Sequence, residues 1–144
     1  MSIKSKFKEV IILALLLVPS FMIPSLWAQE GFHENGPILK TVKIGPHPIY
    51  TRILIDLTEP VSYQVKANFA KKRIILTLPE TQRGPRVRSK SFNDKNLEQF
   101  TVNSRQGKVK VTFVLKRSNT RFFHSMNPKK TQIIIDLKAN LELF

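Results

Sequence analysis

From Val42 to Leu137 the chain is written in period two: apolar residues recur at every second position, in short runs separated by turn-forming residues. Val42 and Ile44 alternate with polar neighbours. Ile53, Ile55 and Leu57 do the same with Leu54 and Asp56 between them, and Val61, Tyr63 and Val65 continue the pattern. The run IILTL (74–78) reads as a more deeply buried strand. Leu97, Phe100 and Val102 follow, then Val109, Val111, Phe113 and Leu115, and residues 120–126 and 132–137 supply two further runs. Such alternation places every second side chain on one face of a half-buried strand. Helical period is absent except at Asp94–Phe100, which allows a single turn.

The second half of the chain repeats the first at an offset of about 58 residues, drifting to 59. Val42 and Ile44 fall on Phe100 and Val102; Ile53, Ile55 and Leu57 fall on Val111, Phe113 and Leu115; Tyr63 falls on Phe122; RIILTL (73–78) falls on QIIIDL (132–137). The same runs in the same order with nearly the same gaps predict two copies of one four-strand unit. One copy cannot cover its own apolar face. Stacked face to face, the two copies make a sandwich roughly 10 Å thick between backbones. The expected fold is therefore all-β, a small β-sandwich built from an internal duplication. The basic, Gly/Pro-punctuated stretch QRGPRVRSK (82–90) reads as a connector.

The two copies turn the same corner with different residues. In the first, Gly45-Pro46-His47-Pro48-Ile49 links strand one to strand two, with Gly45 free to take an unusual backbone angle and the prolines fixing φ. In the second, Asn103-Ser104-Arg105-Gln106-Gly107 does so. The histidine and prolines of the first corner thus have a structural reading.

Ahead of this pattern the chain changes character. Lys4, Lys6 and Lys8 precede an unbroken apolar run, Val10–Val18, and Pro19 and Pro24 come before Leu26-Trp27-Ala28. A basic start, a short apolar segment and a small residue at the end are the marks of a secretory signal peptide over residues 1–28. The run is shorter than the roughly 20 residues of a comfortable membrane span. A membrane is therefore expected as a partner only through this segment, if it stays uncleaved. Residues 29–39 (QEGFHENGPIL) read as a flexible mature N-terminus, 40–139 as the sandwich and 140–144 as a tail.

Charge sharpens the expectation. The chain carries 24 Lys+Arg against 10 Asp+Glu, net +14, with 42% hydrophobic residues, too many for a disordered polycation. Loss of residues 1–28 removes Lys4, Lys6, Lys8 and Glu9, which leaves 21 basic and 9 acidic residues. There is no cysteine, so an exported domain must fold without disulfides. A basic exported body is expected to meet an anionic polymer or surface of the envelope, with nucleic acid an unlikely partner.

The run KIGPHPIYTRILIDLTEPVSYQV (43–65), then RIILTLP (73–79), then QIIIDLKA (132–139), resembles the AMIN domain family. Tyr50-Thr51-Arg52 leading into Ile53–Leu57 is the most specific part, and the similarity covers about residues 40–139. The resemblance implies a periplasmic, non-catalytic sandwich of two symmetry-related sheets that binds peptidoglycan. In that family such domains position cell-wall amidases at the division site and occur in type IV pilus secretins. It thereby implies partners among amidase, division or type IV pilus proteins. Since no amidase or secretin sequence follows the last strand here, the expected role is wall binding or scaffolding of envelope machinery, with no attached catalytic domain to target.

No catalytic set emerges beside it. His33, His47 and His124 do not have the spacing of a zinc site, and no Ser-His-Asp arrangement can be argued, so neither an enzyme, a cofactor nor a metal is expected. Asp56 and Asp136 sit at equivalent-looking places in ILIDL and IIIDL, on the face opposite the apolar residues. The residues singled out for ligand binding are Tyr50 and Arg52, two apart on one strand face, and the cluster Arg83, Arg86, Arg88 and Lys90. In that cluster Arg86 and Arg88 share a face if the segment is extended. Arginine engages carboxylates through two parallel hydrogen bonds, and peptidoglycan stem peptides carry carboxylates. For Arg52, bracing the sheet is the stronger reading and contact with sugar the weaker. Two alternatives stand beside wall binding. One is a protein–protein scaffold in a pilus or division assembly, using exposed sheet edges. The other is a basic binder of anionic lipid or nucleic acid.

Overall fold

The computed structural model describes residues 36–140. The expected signal peptide, residues 29–35 of the expected flexible terminus and residues 141–144 of the tail lie outside the described residues. Ten strands follow one another: β1 (Ile38–Pro46), β2 (Thr51–Leu57), β3 (Gln64–Asn68), β4 (Arg73–Leu78), β5 (Gln82–Arg83), β6 (Lys90–Ser91), β7 (Leu97–Arg105), β8 (Lys108–Leu115), β9 (Thr120–Met126) and β10 (Gln132–Ala139). There is no helix among the described residues. Strand β1 begins two residues inside the stretch read as a flexible terminus, and its Leu39 is fully buried.

The strands form two five-stranded sheets, ordered β5-β1-β2-β10-β9 (sheet I) and β3-β4-β8-β7-β6 (sheet II). All pairings are antiparallel except the short β1–β5 contact. The duplication is there, but a copy is not a sheet. Each copy leaves its first hairpin in one sheet and sends its second hairpin to the other, so that β2 pairs with β10 and β8 with β4. The physical reason lies in the strands themselves. RILIDL, QIIIDL, RIILTL and KVTFVL are the most apolar runs, and the exchange puts all four at the sheet centres, with the more polar β9 and β3 at edges.

The core lies between the sheets and is equivalent in both. Ile53, Ile55 and Leu57 are matched by Val111, Phe113 and Leu115, and Ile74, Leu76 and Leu78 by Ile133, Ile135 and Leu137, all of them buried. Each such side chain contributes roughly 1.5–3 kcal/mol by leaving water. The copies even share an irregularity. A bulge between Leu39 and Thr41 recurs between Leu97 and Gln99, so Lys40 and Glu98 are extra residues that let Leu39 and Leu97 point inward ahead of the regular alternation.

The corners differ from expectation. Gly45 is not in the left-handed region; the turn is the four residues His47–Tyr50, closed by the His47 N–H donating to the Tyr50 carbonyl at 2.9 Å. In the second copy the strand runs through Arg105, and the whole bend is Gln106-Gly107, with φ of 51° and 68°. Positive φ at both central residues is the hairpin turn whose twist matches the flanking strands. The stretch 82–90 is more than a connector. It lays β5 on one sheet edge and β6 on the other, and between them a turn closed by Val87 N–H to the Gly84 carbonyl tucks Val87 into the core. Gly84 passes so close to β1 that an added Cβ would stand 2.4 Å from the Leu39 carbonyl oxygen.

Asp94 does not start a helical turn. Its Oδ2 accepts from Thr51 Oγ1 (2.6 Å) and from the backbone N–H groups of Asn96 and Leu97 (2.8 and 3.0 Å). The Asn96 amide donates to Thr51 Oγ1 and to the Leu137 carbonyl. This buried knot ties β2 and β10 of sheet I to β7 of sheet II. Burial opposes ionisation of Asp94, but the Thr51 hydroxyl and the backbone donors outweigh it and hold the carboxyl below the usual range.

Candidate functional site

The outer face of sheet I is organised in rows that cross its strands. One row reads Gly45–Arg52–Asp136–Phe123, the next Lys43–Leu54–Ile134–Ser125. Arg52 donates Nε–H and Nη2–H to the two carboxylate oxygens of Asp136, each at 2.8 Å. That bidentate contact raises the guanidinium pKa above its ordinary value, and Arg52 also lies 5.2 Å from the Tyr50 ring centroid. Tyr50 in turn stacks on His47, with ring centroids 4.1 Å apart, and Lys95 Nζ donates to the His47 and Pro48 carbonyls. A third row holds Asp56. Burial opposes its ionisation, but donation from Thr41 Oγ1 (2.6 Å), Gln132 Nε2 (2.7 Å) and Lys43 Nζ (3.2 Å) outweighs it and lowers the pKa. Both carboxylates of this face are therefore half-buried and spoken for. At the end of the Arg52–Asp136 row Phe123 stands out, 67% exposed on the edge strand β9.

Sheet II presents the opposite chemistry. Its outer face holds a cleft of about 780 Å³ lined by Lys66, Lys108, Lys110 and Arg105, with Thr77 and Gln64 beside them. No acidic residue lines it among the described residues. The ion pairs within 4 Å among the described residues, Lys43–Asp56 and Arg52–Asp136, are both on sheet I. The cleft's cations thus face solvent with no carboxylate to neutralise them. Their placement follows from the strands: Lys108 and Lys110 alternate with buried Val109 and Val111, and the tight Gln106-Gly107 turn brings Arg105 opposite Lys108. Mutual repulsion in such a cluster is relieved by a bound anion.

One lateral side of the sandwich is closed by the β5–β6 segment; the other is lined by aromatic rings where edge strands β3 and β9 meet. Tyr63 Oη and His124 Nδ1 are 3.0 Å apart, His124 stacks on Phe122, and Phe122 packs against Phe69. His124 thus stands on β9, at the edge of sheet I.

The residues expected to bind ligand do not form one site. Tyr50 and Arg52 belong to the outer face of sheet I, where Arg52 is held by Asp136. Arg83 is in β5 at the edge of sheet I, and Lys90 is in β6 at the edge of sheet II. Arg86 sits in the Gly84–Val87 turn, so it and Arg88 do not share a strand face; each is exposed beside buried Val87. Sequence reasoning did not single out Lys108 and Lys110 for ligand binding. The signal that marks them is the polar half of the repeat, in which Lys110 falls on Arg52 and Thr77 on Asp136. No group of three or more His, Asp or Glu side chains able to hold a metal ion occurs among the described residues.

The family model for the AMIN domain matches residues 41–137 of the chain, most of both repeats. No curated protein matches it.

Proposed function

Since the chain belongs to the AMIN domain family, a family of non-catalytic binding domains known from peptidoglycan-binding and localising roles in periplasmic proteins, we propose that it is a periplasmic module that binds peptidoglycan and localises or scaffolds envelope machinery. The observation that carries this reading is the cleft on sheet II, which four cations line and, among the described residues, no acidic residue does. Peptidoglycan offers a dense array of stem-peptide carboxylates on a glycan mesh. A cleft of this size takes a short stretch of such a polymer. The basic start and short apolar run of residues 1–28 support export to the same compartment.

The test is co-sedimentation of the exported protein, recovered from the envelope fraction, with purified sacculi at about 50 and 300 mM salt. Retention of most of the bound protein at the higher salt is the expected result. Binding that vanishes at high salt is counterion release alone, the behaviour of a general polyanion binder, and would overturn the wall reading.

A second reading, scaffolding through a protein partner, is favoured by one observation: the edge strand β9, whose Phe123 is the most exposed large apolar side chain described. An extended partner strand paired along β9 would cover it. Cross-linking from position 123 to another envelope protein, without sacculi, distinguishes this reading from the first.

A further inference from the structure

The outer faces of the two sheets correspond pair for pair. The row Gly45–Arg52–Asp136–Phe123 of sheet I has as its counterpart Asn103–Lys110–Thr77–Gln64 in sheet II. The next row, Lys43–Leu54–Ile134–Ser125, corresponds to Thr101–Thr112–Ile75–Lys66. Across this correspondence the cation is kept and the carboxylate is lost. Arg52 becomes Lys110, but Asp136 becomes Thr77, and Asp56 becomes Val114. In sheet I the cation already grips a carboxylate on the neighbouring strand at 2.8 Å. In sheet II an ammonium faces a hydroxyl across the same strand pair, within the cleft that Lys66, Lys108 and Arg105 make positive.

Resting on the wall-binding reading above, we propose that the sheet II cleft is the ligand site and that it takes a stem-peptide carboxylate at Lys110 and Thr77, in the place that Asp136 fills for Arg52 in sheet I. The protein's own ion pair is thus a template for the contact. The Lys110 ammonium supplies charge and the Thr77 hydroxyl a second donor to the other oxygen. Asn103 and Gln64, at the two ends of the row, offer side-chain amides to the peptide groups on either side of that carboxylate. Sheet I takes no such ligand, because Asp136 occupies its position. The recognised group is a carboxylate set in a short peptide; the sugar is incidental.

The inference predicts that an internal carboxylate will close the site. Thr77→Asp recreates in sheet II the arrangement that sheet I already tolerates, and Lys110→Ala removes the cation from an exposed position. Each is paired with a control of equal charge change on the outer face of sheet I: Ser125→Asp and Lys138→Ala, both exposed. Two assays are run on the full exported chain. One is co-sedimentation with sacculi; the other is titration with a soluble stem peptide carrying free carboxylates, and with the same peptide amidated. The expected result is that T77D and K110A each weaken both kinds of binding by about tenfold or more, the worth of one charge-assisted contact. S125D and K138A stay within about twofold of the unmodified protein, and the amidated peptide does not bind. Matched variants that behave alike, or an amidated peptide that binds as well as the free one, would overturn this site while leaving wall binding intact. If the protein ignores sacculi yet binds the free peptide in a T77D-sensitive way, the carboxylate site stands and the wall-binding reading falls. Failure to bind either probe overturns both. Thermal unfolding of each variant shows whether a loss is local, and K110A carries the test should T77D unfold.

Discussion

Sheet I and sheet II bury equivalent residues inward and carry different chemistry outward. Ile55 and Phe113 fill corresponding places in the core, as do Ile135 and Leu76. On the solvent side, Arg52–Asp136 of one sheet stands where Lys110–Thr77 stands in the other. The inner faces must interlock with each other, so drift in one is checked by the other at close-packed density. The outer faces answer only to water. At the matched positions a cation is neutralised from within at Arg52 and left without a carboxylate at Lys110. The proposed ligand site on sheet II thus rests on the place where the symmetry of charge fails.

Inner equivalence is the part of this comparison with the largest measurable consequence. Ile55→Ala and Phe113→Ala each remove a fully buried side chain at matched positions and are expected to cost about 3 kcal/mol or more, in urea unfolding followed by circular dichroism. Because the hairpins are exchanged between sheets, both variants should unfold in a single transition with the same slope. Two separated transitions, or one variant costing under about 1 kcal/mol, would break the picture of one shared core.

The knot at Asp94 has no counterpart: its repeat equivalent is Gly36, and Thr51 falls on Val109. Asp94→Asn keeps the shape but removes the charged acceptor of three hydrogen bonds, and about 2 kcal/mol of stability is expected to go with it. The pH dependence follows in sign. The Asp94 and Asp56 carboxyls are both held below the ordinary carboxylate range, so the stability they lend is complete above the unfolded value of about 3.9 and drains away as pH falls through their lower folded values. A melting temperature that declines below about pH 4 in the unmodified protein, and less steeply in D94N, is the expected outcome. An equal decline in both would remove Asp94 from the account.

How much of this was legible beforehand divides by the range of the interaction. Period two along Ile53–Leu57 or Gln132–Leu137 is local, and it predicts strands, their buried side and the duplication. Which strand pairs with which is not local. Nothing within ILIDL says that β10, some 80 residues on, rather than β3 will lie beside it, so the hairpin exchange was invisible. The Arg52–Asp136 pair was invisible with it, since its partners meet only through that register. The bulges at Lys40 and Glu98 did leave a trace in the three-residue step from Leu97 to Phe100. The cleft left a trace too, in the loss of Asp136 at Thr77, but only a comparison of polar positions between the repeats reveals it.

The smallest effect is the one that separates the two outer faces without any ligand. Arg52 holds a partner across the sheet and Lys110 does not, so their removal should act on stability with opposite tendencies. Arg52→Ala strands the Asp136 carboxylate on a half-buried surface and lowers the melting temperature. Lys110→Ala takes one like charge out of a cluster with Lys66, Lys108 and Arg105 and leaves the melting temperature unchanged or slightly higher. Salt gives the decisive signature. The benefit of K110A comes from repulsion across several ångströms of water, so it should fade as the screening length shrinks from about 10 Å at 0.1 M to about 3 Å at 1 M. The penalty of R52A comes from hydrogen bonds at 2.8 Å, inside any screening length, and should persist through the same titration. A K110A variant as destabilised as R52A, at low salt and high, would mean that Lys110 has a partner within the fold, and the contrast between the two faces would go with it.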